Sequence, residues 1–307
     1  MAAADVLEQL QQAIAAVADK AGGSVVGIGH GWGRGSGVVI GDGLILTNAH
    51  NVHDHEVPLS FGDGRTVTAT VAGIDVDGDL AVLSAVTAGA PPIEWADGDP
   101  DVGAVVFALA NPGGRGLRVT LGQVSSVGRS FRGPRGRRVT GSVEHTAPMA
   151  KGSSGGPVVD AAGRFLGINT NRLGEGFYLA LPADADLRGR VEGLSRGEST
   201  SRLYLGVGLV PGRAARQLRR SVGLPERDGL LVREVQDDSP AGRAGLRGGD
   251  LIVEAAGRAV ATVDDLHTIL DGLDETSSLP LGVVRGADEL SVTVAFGAGA
   301  AREEGSA

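Results

Sequence analysis

The chain has 307 residues, 42% hydrophobic and 21% charged, enough to bury two cores of ordinary domain size. A formal net charge of −9 excludes a general binder of polyanions, and the lack of cysteine excludes a disulfide framework or a thiolate metal site. Glycine reaches 51 residues while aromatics make up 3%, which suits a mainly β protein with many tight turns and a core of Val, Leu, Ile and Ala.

Residues 3 to 20 read as an amphipathic helix, because Val6, Leu7, Leu10, Ile14 and Val17 recur near helical spacing. It could cover its own domain or meet another subunit. Asp5, Glu8, Gln11 and Gln12 interrupt the apolar positions, so this is not a signal peptide. As the chain stands, a cytoplasmic location is expected; the alternative is a periplasmic or extracytoplasmic one if an upstream segment is missing. No transmembrane segment is expected.

From Ser24 onward short β-branched runs alternate with glycine: Val25 to Ile28, Gly37 to Ile40, Leu44 to Thr47, Thr66 to Val71 and Leu80 to Leu83. Val105 to Leu109, Leu117 to Leu121 and Gln123 to Val127 continue the pattern, followed by a run that includes Ser142 to Thr146. Arg129, Arg132, Arg135, Arg137 and Arg138 form a basic run among glycines, expected as a solvated, flexible loop rather than a nucleic-acid contact.

Lys151-Gly152-Ser153-Ser154-Gly155-Gly156-Pro157 lies between two strand-like runs. Glycines on both sides permit a tight turn and bring bare N–H groups near a reacting oxygen, as acyl transfer from a serine needs. A serine nucleophile also needs a base held in one tautomer by a third group. His50, His53 and His55 compete for the first role. His50 ends the apolar strand Leu44 to Thr47 in the context Thr-Asn-Ala-His, whereas His53 and His55 sit in a polar loop and supply no metal site without a third ligand. Asp75, Asp77 and Asp79 compete for the second; Asp79 directly precedes an apolar strand and is expected to be buried against the imidazole, with Asp75 and Asp77 in a polar turn.

GSGVVIGDGLILTNAH, GDLAVL, ALANPGG and GSSGGPVV, in this order, resemble the HtrA/Deg family of chymotrypsin-fold serine proteases, and the C-terminal third resembles that family's PDZ domain. The resemblance covers residues 24 to 297. It implies two six-stranded barrels, with His50, Asp79 and Ser154 as the catalytic residues at the cleft between them. The pattern Gly-x-Ser-Gly-Gly-Pro selects Ser154 over Ser153, so the oxyanion hole is expected from the N–H groups of Gly152 and Ser154. Asn51 stands where the family usually has a small apolar residue, and Lys151 where it often has proline. Pro148 occupies the position of the acid that selects basic substrates in trypsin-like enzymes. The substrate-binding walls are therefore expected to be uncharged, from Ala147, Pro148 and Met149 and from Ile168, Asn169 and Thr170, favouring small or medium aliphatic residues.

The domains expected are an N-terminal helix over 1–22, a protease domain over 23–194, a polar linker over 195–201, a PDZ domain over 202–298 and a disordered tail over 299–307. Within the PDZ domain Tyr204, Leu205, Gly206 and Val207 resemble the peptide-carboxylate loop. Ser239-Pro240 opens a short helix, and Thr262-Val263-Asp264-Asp265 reads as a capping box for a helix through Leu270. Leu266 and Leu270 could line a peptide groove or face the core. The implied function is an endopeptidase of unfolded proteins, without metal or cofactor, delivered or activated through C-terminal peptides at the PDZ domain. A homo-oligomer, trimeric by resemblance, is expected; a catalytically silent peptide-binding scaffold or chaperone is the alternative.

Overall fold

Glycine-punctuated runs of β-branched residues close on themselves. The computed structural model describes residues 3–29, 35–133, 138–174, 176–198, 203–210, 212–274 and 276–297. The chain divides into two units, residues 1–201 and 202–307.

In the first unit β1 (Val25–Ile28), β2 (Gly35–Gly41), β3 (Leu44–Thr47), β4 (Glu56–Ser60), β5 (Thr66–Asp75) and β6 (Leu80–Ser84) form a closed barrel in the order β1-β2-β3-β6-β5-β4. A second closed barrel follows from β7 (Val105–Ala110), β8 (Arg118–Arg132), β9 (Arg138–His145), β10 (Pro157–Val159), β11 (Phe165–Gly174) and β12 (Phe177–Pro182), ordered β10-β11-β12-β9-β8-β7. Closure leaves neither sheet with an open edge along its full length. Val38, Leu46, Leu80 and Val82 of the first barrel share one buried cluster with Phe107, Leu109, Val159 and Phe165 of the second. The cleft between the barrels thus rests on a common core.

Helix α1 (Ala3–Ala21) seals that core with Val17 and Ala21, while Ile14 packs against its margin. Val6, Leu7 and Leu10, expected on the same apolar stripe, are exposed instead. Helix α2 (Ala185–Ser195) starts where Asp184 accepts the Leu187 N–H at 2.8 Å and buries Leu187, Val191 and Leu194. It runs through Ser195, one residue into the stretch expected as linker; Ser199 to Ser201 lie outside the described residues, as does the tail over 299–307.

The basic run needs correction. Arg129 and Arg132 belong to β8 and Arg138 to β9, the two arms of a long hairpin, while Arg135 and Arg137 lie outside the described residues. Cross-strand partners hold these arms: Arg129 meets Glu144 at 3.2 Å, Arg138 donates to Ser130 at 3.1 Å, and Phe131 between them is buried.

The second unit is a sheet in the order β13 (Val207–Val210), β14 (Leu230–Val235), β15 (Leu251–Ala255), β17 (Ser278–Arg285), β18 (Asp288–Ala295), with the short β16 (Arg258–Ala259) also on β15. Helices α3 (Gly212–Ser221), α4 (Pro240–Arg243) and α5 (Val263–Leu270) accompany it. Leu266, Ile269 and Leu270 all lie in its core, which decides the question left open for Leu266 and Leu270. The capping box is formed: Asp265 N–H donates to Thr262 Oγ1 at 3.2 Å and Thr262 N–H donates to Asp265 at 2.7 Å. Thr262→Ala removes one of these bonds and is expected to cost about 1 kcal/mol, read as a roughly fivefold loss of hydrogen-exchange protection in α5.

Candidate active site

The acid arrives on a strained turn. Between β5 and β6 the chain passes through Asp75 and Asp77, both buried rather than bathed in water as a polar turn would be. Asp75 accepts the Gly78 N–H at 2.9 Å and an Arg190 N–H at 2.8 Å, and Arg190, from α2, also donates to Gly78 O at 3.2 Å. This distant cation allows the turn to be dry. A Cβ on Gly78 would lie 1.8 Å from Arg190 Nη2 and 2.4 Å from Asp75 Oδ2, so a side chain before the acid would have to displace the Arg190–Asp75 pair. Asp79 itself has φ 55°, a left-handed backbone that costs about 1–2 kcal/mol for a residue with a Cβ.

That strain directs a 2% exposed Asp79 carboxylate at His50. Both carboxylate oxygens lie 2.9 Å from His50 Nδ1, and the His50 backbone N–H donates to Oδ1 at 3.2 Å. Thr170 Oγ1 donates to Oδ2 at 2.6 Å, and Asn48 Nδ2 donates to the Asp79 carbonyl at 2.9 Å. Because the carboxylate only accepts, Nδ1 carries the imidazole proton. His50 sits in a short 3₁₀ turn, Ala49–Asn51, with its ring side chain 37% exposed toward solvent. His53 and His55 are exposed on the loop beyond.

Ser154 reaches the same place from the second barrel. Its carbonyl accepts the Ser36 N–H at 2.9 Å and Asn51 Nδ2 at 3.0 Å, and Ser36 Oγ donates to Gly152 O at 2.9 Å. Gly155 has φ 86°, and a Cβ there would stand 2.1 Å from Ser36 O, so only glycine permits this approach. Ser154 Oγ donates to Thr170 O at 3.3 Å. Thr170 therefore touches the acid with its side chain and the serine with its carbonyl. Gly152 is also left-handed, φ 87°, and among the described residues neither the Gly152 nor the Ser154 N–H has a protein acceptor. Ser153 is buried.

The residues expected as substrate walls are distributed differently. Ala147, Ile168 and Asn169 are fully enclosed and Thr170 is occupied by Asp79, whereas Pro148 is exposed and Met149 half-buried. Pro148, Met149, Ala150 and Ser153 border a cavity of about 60 Å³ whose other side is Ala108, Leu109, Ala110, Arg118 and Thr120. Arg172 lies over the Tyr178 ring at 5.8 Å and donates to Gly174 O at 2.9 Å.

Ser36, Asn51 and Arg190 were not assigned roles from the sequence. The available signal was Asn51, a polar residue in a place where a small apolar one is usual. Buried His145 was also passed over. Burial pushes its pKa down to about 4, against a smaller upward pull from its bond to Asn169. A histidine kept neutral in the fold but protonated when unfolded withdraws stability as pH falls. The loss begins below about 6.5 and is complete below about 4, for a total of about 3 kcal/mol. Thermal melts between pH 7 and 4 should show this decline, and His145→Gln should flatten it.

In the second unit, Leu205 is buried, and its carbonyl accepts the Ala241 N–H at 2.9 Å. Gly206, φ 80°, has Ser239 Cβ 2.1 Å from where its own Cβ would be, and its carbonyl accepts the Gln236 N–H at 2.8 Å. Tyr204 Oη donates to Gln236 at 2.7 Å. Val207 begins β13, which among the described residues stands at the end of the sheet with β14 on one side.

Two closed barrels with this constellation at their junction, followed by a sheet unit with a tight loop feeding its edge strand, define a trypsin-like peptidase linked to a PDZ domain. The family model for the trypsin-like peptidase domain matches residues 35–168, and that for the PDZ domain matches residues 204–296. Putative serine protease HhoA of Synechocystis is 36% identical over 279 residues, an alignment covering 85% of this chain and 70% of that protein. A probable periplasmic DegP-like serine endoprotease of Halomonas elongata is 33% identical over 271 residues, covering 86% of this chain but 56% of its own length, so the chain spans little more than half of that relative. Among solved structures, HtrA-type protease AlgW with a decapeptide superposes with a TM-score of 0.60 at 25% identity, covering 92% of this chain and 98% of that one. The chain belongs to the HtrA/Deg family of serine proteases.

Proposed function

We propose that the chain is an endopeptidase of unfolded polypeptides working through an acyl-enzyme on Ser154. His50 takes the Ser154 proton as general base as Oγ attacks the scissile carbonyl carbon, then returns it to the leaving amine; water, activated by the same imidazole, releases the acyl group. Asp79 holds the ring with its proton on Nδ1 and balances the imidazolium that forms. Gly152 and Ser154 N–H groups receive the oxyanion, each lowering the barrier by about 3 kcal/mol. The observation that carries this reading is the buried Asp79 carboxylate gripped by both His50 and Thr170, with Thr170 O on the Ser154 hydroxyl.

Beyond Asn169, whose backbone bonds the Gly155–Gly156 turn, β11 continues to Gly174 with β12 as its strand partner among the described residues. This supports substrate binding by strand addition, which extended chains can make and folded ones rarely can. Uncharged Pro148 supports cleavage after small or medium aliphatic residues. The edge strand β13, with Tyr204 to Val207 leading into it, supports capture of a peptide C-terminus, as does the AlgW structure with a decapeptide. Family likeness supports a homotrimer, to be checked by light scattering. No described helix is long and apolar enough to cross a membrane, and the name of the Halomonas relative supports an extracytoplasmic setting, to be checked by fractionation.

The test is reduced casein and a serine-reactive phosphonate, applied to the protein and to Ser154→Ala, with and without C-terminal peptides. Cleavage and labelling that disappear in the variant are expected. Intact casein at every temperature and with every peptide would reject the endopeptidase.

A further inference from the structure

His145 sits at the end of β9, fully buried between Val124 of β8 and Tyr178 of β12, whose ring stacks on it with centroids 5.9 Å apart. Its Nε2 lies 2.9 Å from Asn169 Oδ1. Asn169 Nδ2 donates to Gly156 O at 3.0 Å, which orients the amide so that Oδ1 faces the imidazole. An amide oxygen only accepts, so the proton is on His145 Nε2 and the ring donates. Nδ1 is buried without a partner. An unpaired buried acceptor is destabilising, and a leucine or phenylalanine in this layer would avoid it. Glu144, adjacent in the chain, faces other partners, Ser125 at 2.8 Å and Arg129 at 3.2 Å. Arg172 lies over the Tyr178 ring and donates to Gly174 O rather than to the imidazole. Among the described residues no charged group bonds the imidazole, whose contact with the site runs through Asn169.

Asn169 is where the nucleophile turn is fastened. Gly155 N–H donates to Asn169 O at 2.7 Å, and Gly156 O accepts both the Asn169 N–H at 2.9 Å and its Nδ2. The next residue, Thr170, holds Ser154 Oγ and Asp79. We propose that His145 is a positioning residue for Ser154: its Nε2–H locks the Asn169 amide on Gly156 O and so fixes the glycines that aim the serine. This rests on the reading of Ser154 as nucleophile. His145 touches neither substrate nor reacting atoms. Its loss leaves the backbone bonds between Asn169 and the turn in place, so the fold survives while the turn gains freedom.

The experiment is the second-order rate of phosphonate labelling for the full chain and its variants, with melting temperatures alongside. His145→Met, which keeps the volume and removes the donor, should label about 10-fold more slowly, since small displacements of a reacting group carry penalties of this order. His145→Gln, which restores an N–H donor, should recover to within about threefold of wild type at a similar melting temperature. Asn169→Leu should match His145→Met, and the double variant should be no slower than either single one. Equal rates for wild type and His145→Met, or a His145→Gln variant as slow as His145→Met, overturn the role. Should His145→Met not fold, nitrogen-15 spectra of the wild-type imidazole decide: an Nε2–H tautomer whose resonance moves on labelling upholds the proposal, and an Nδ1–H tautomer overturns it. No labelling of wild type, or labelling of Ser154→Ala, removes the nucleophile itself and the inference with it; that result is distinct from uniform labelling across the His145 variants.

Discussion

Asp79→Asn is expected to lower turnover about 10⁴-fold in a protein that remains folded. The Asp79 carboxylate accepts from His50 Nδ1, from the His50 backbone N–H and from Thr170 Oγ1. An asparagine offers one accepting oxygen and must turn its NH₂ toward one of these donors. Turned to Nδ1, the NH₂ would force the imidazole proton onto Nε2, where it blocks acceptance of the Ser154 proton. Turned to Thr170, it faces a hydroxyl that can rotate, but the positive charge that develops on His50 has lost its counterion. The backbone tolerates the change because asparagine, like aspartate, accepts the left-handed φ of 55° found there. Steady-state proteolysis, phosphonate labelling and a melting curve together test this. A folded Asp79→Asn protein within tenfold of wild-type activity would remove Asp79 from the mechanism.

Arg285→Met is expected to destabilise the second unit by about 3–5 kcal/mol, the range for stranding a buried charge. Burial alone would raise the pKa of Asp250, but bonds from Arg285 at 2.8 and 2.9 Å and from the Arg247 N–H at 2.9 Å outweigh it and hold the carboxyl below its usual range. Arg285 also donates to Gly245 O at 2.9 Å, tying β17 to the loop before β15. A carboxyl whose folded pKa is lowered adds stability above its unfolded pKa, and that stability is lost as pH falls through the folded value. Arg285→Met should therefore erase the acid-side decline along with the stability itself. Hydrogen exchange of β15 and β17 in the full chain is the measurement; protection unchanged at neutral pH would show the pair to be dispensable.

Both substitutions act through partners far apart in the chain, and this separates what was legible in the sequence from what was not. Most β runs of the barrels could be read because alternation and glycine punctuation are local properties, though Glu56–Ser60 was not among them. His50 and Asp79 could be favoured over neighbouring rivals because each borders an apolar strand, whereas Ser154 was chosen over Ser153 by resemblance to the family motif. The capping box at Thr262 was complete within four consecutive residues. Helix α3 went unread because its buried residues are Ala215 and a whole arginine, Arg219, whose guanidinium bonds Pro225 O and Gly286 O, leaving no apolar stripe to notice. The arginines of β8 and β9 looked like a loop until the opposing arm supplied Glu144 and Ser130.

By itself, then, the sequence determined most of the strands and turns and nominated side chains for acyl chemistry, since propensity and pattern act over a few residues. Only the tertiary structure decided how they are held: Arg190 on Asp75 across 115 positions, Asn51 on Ser154 across 103, Thr170 on Asp79 across 91. These bonds form between residues that the packing of one barrel against the other, and of α2 against the first, brings together, and each is strengthened because the same packing removes water that would compete for it.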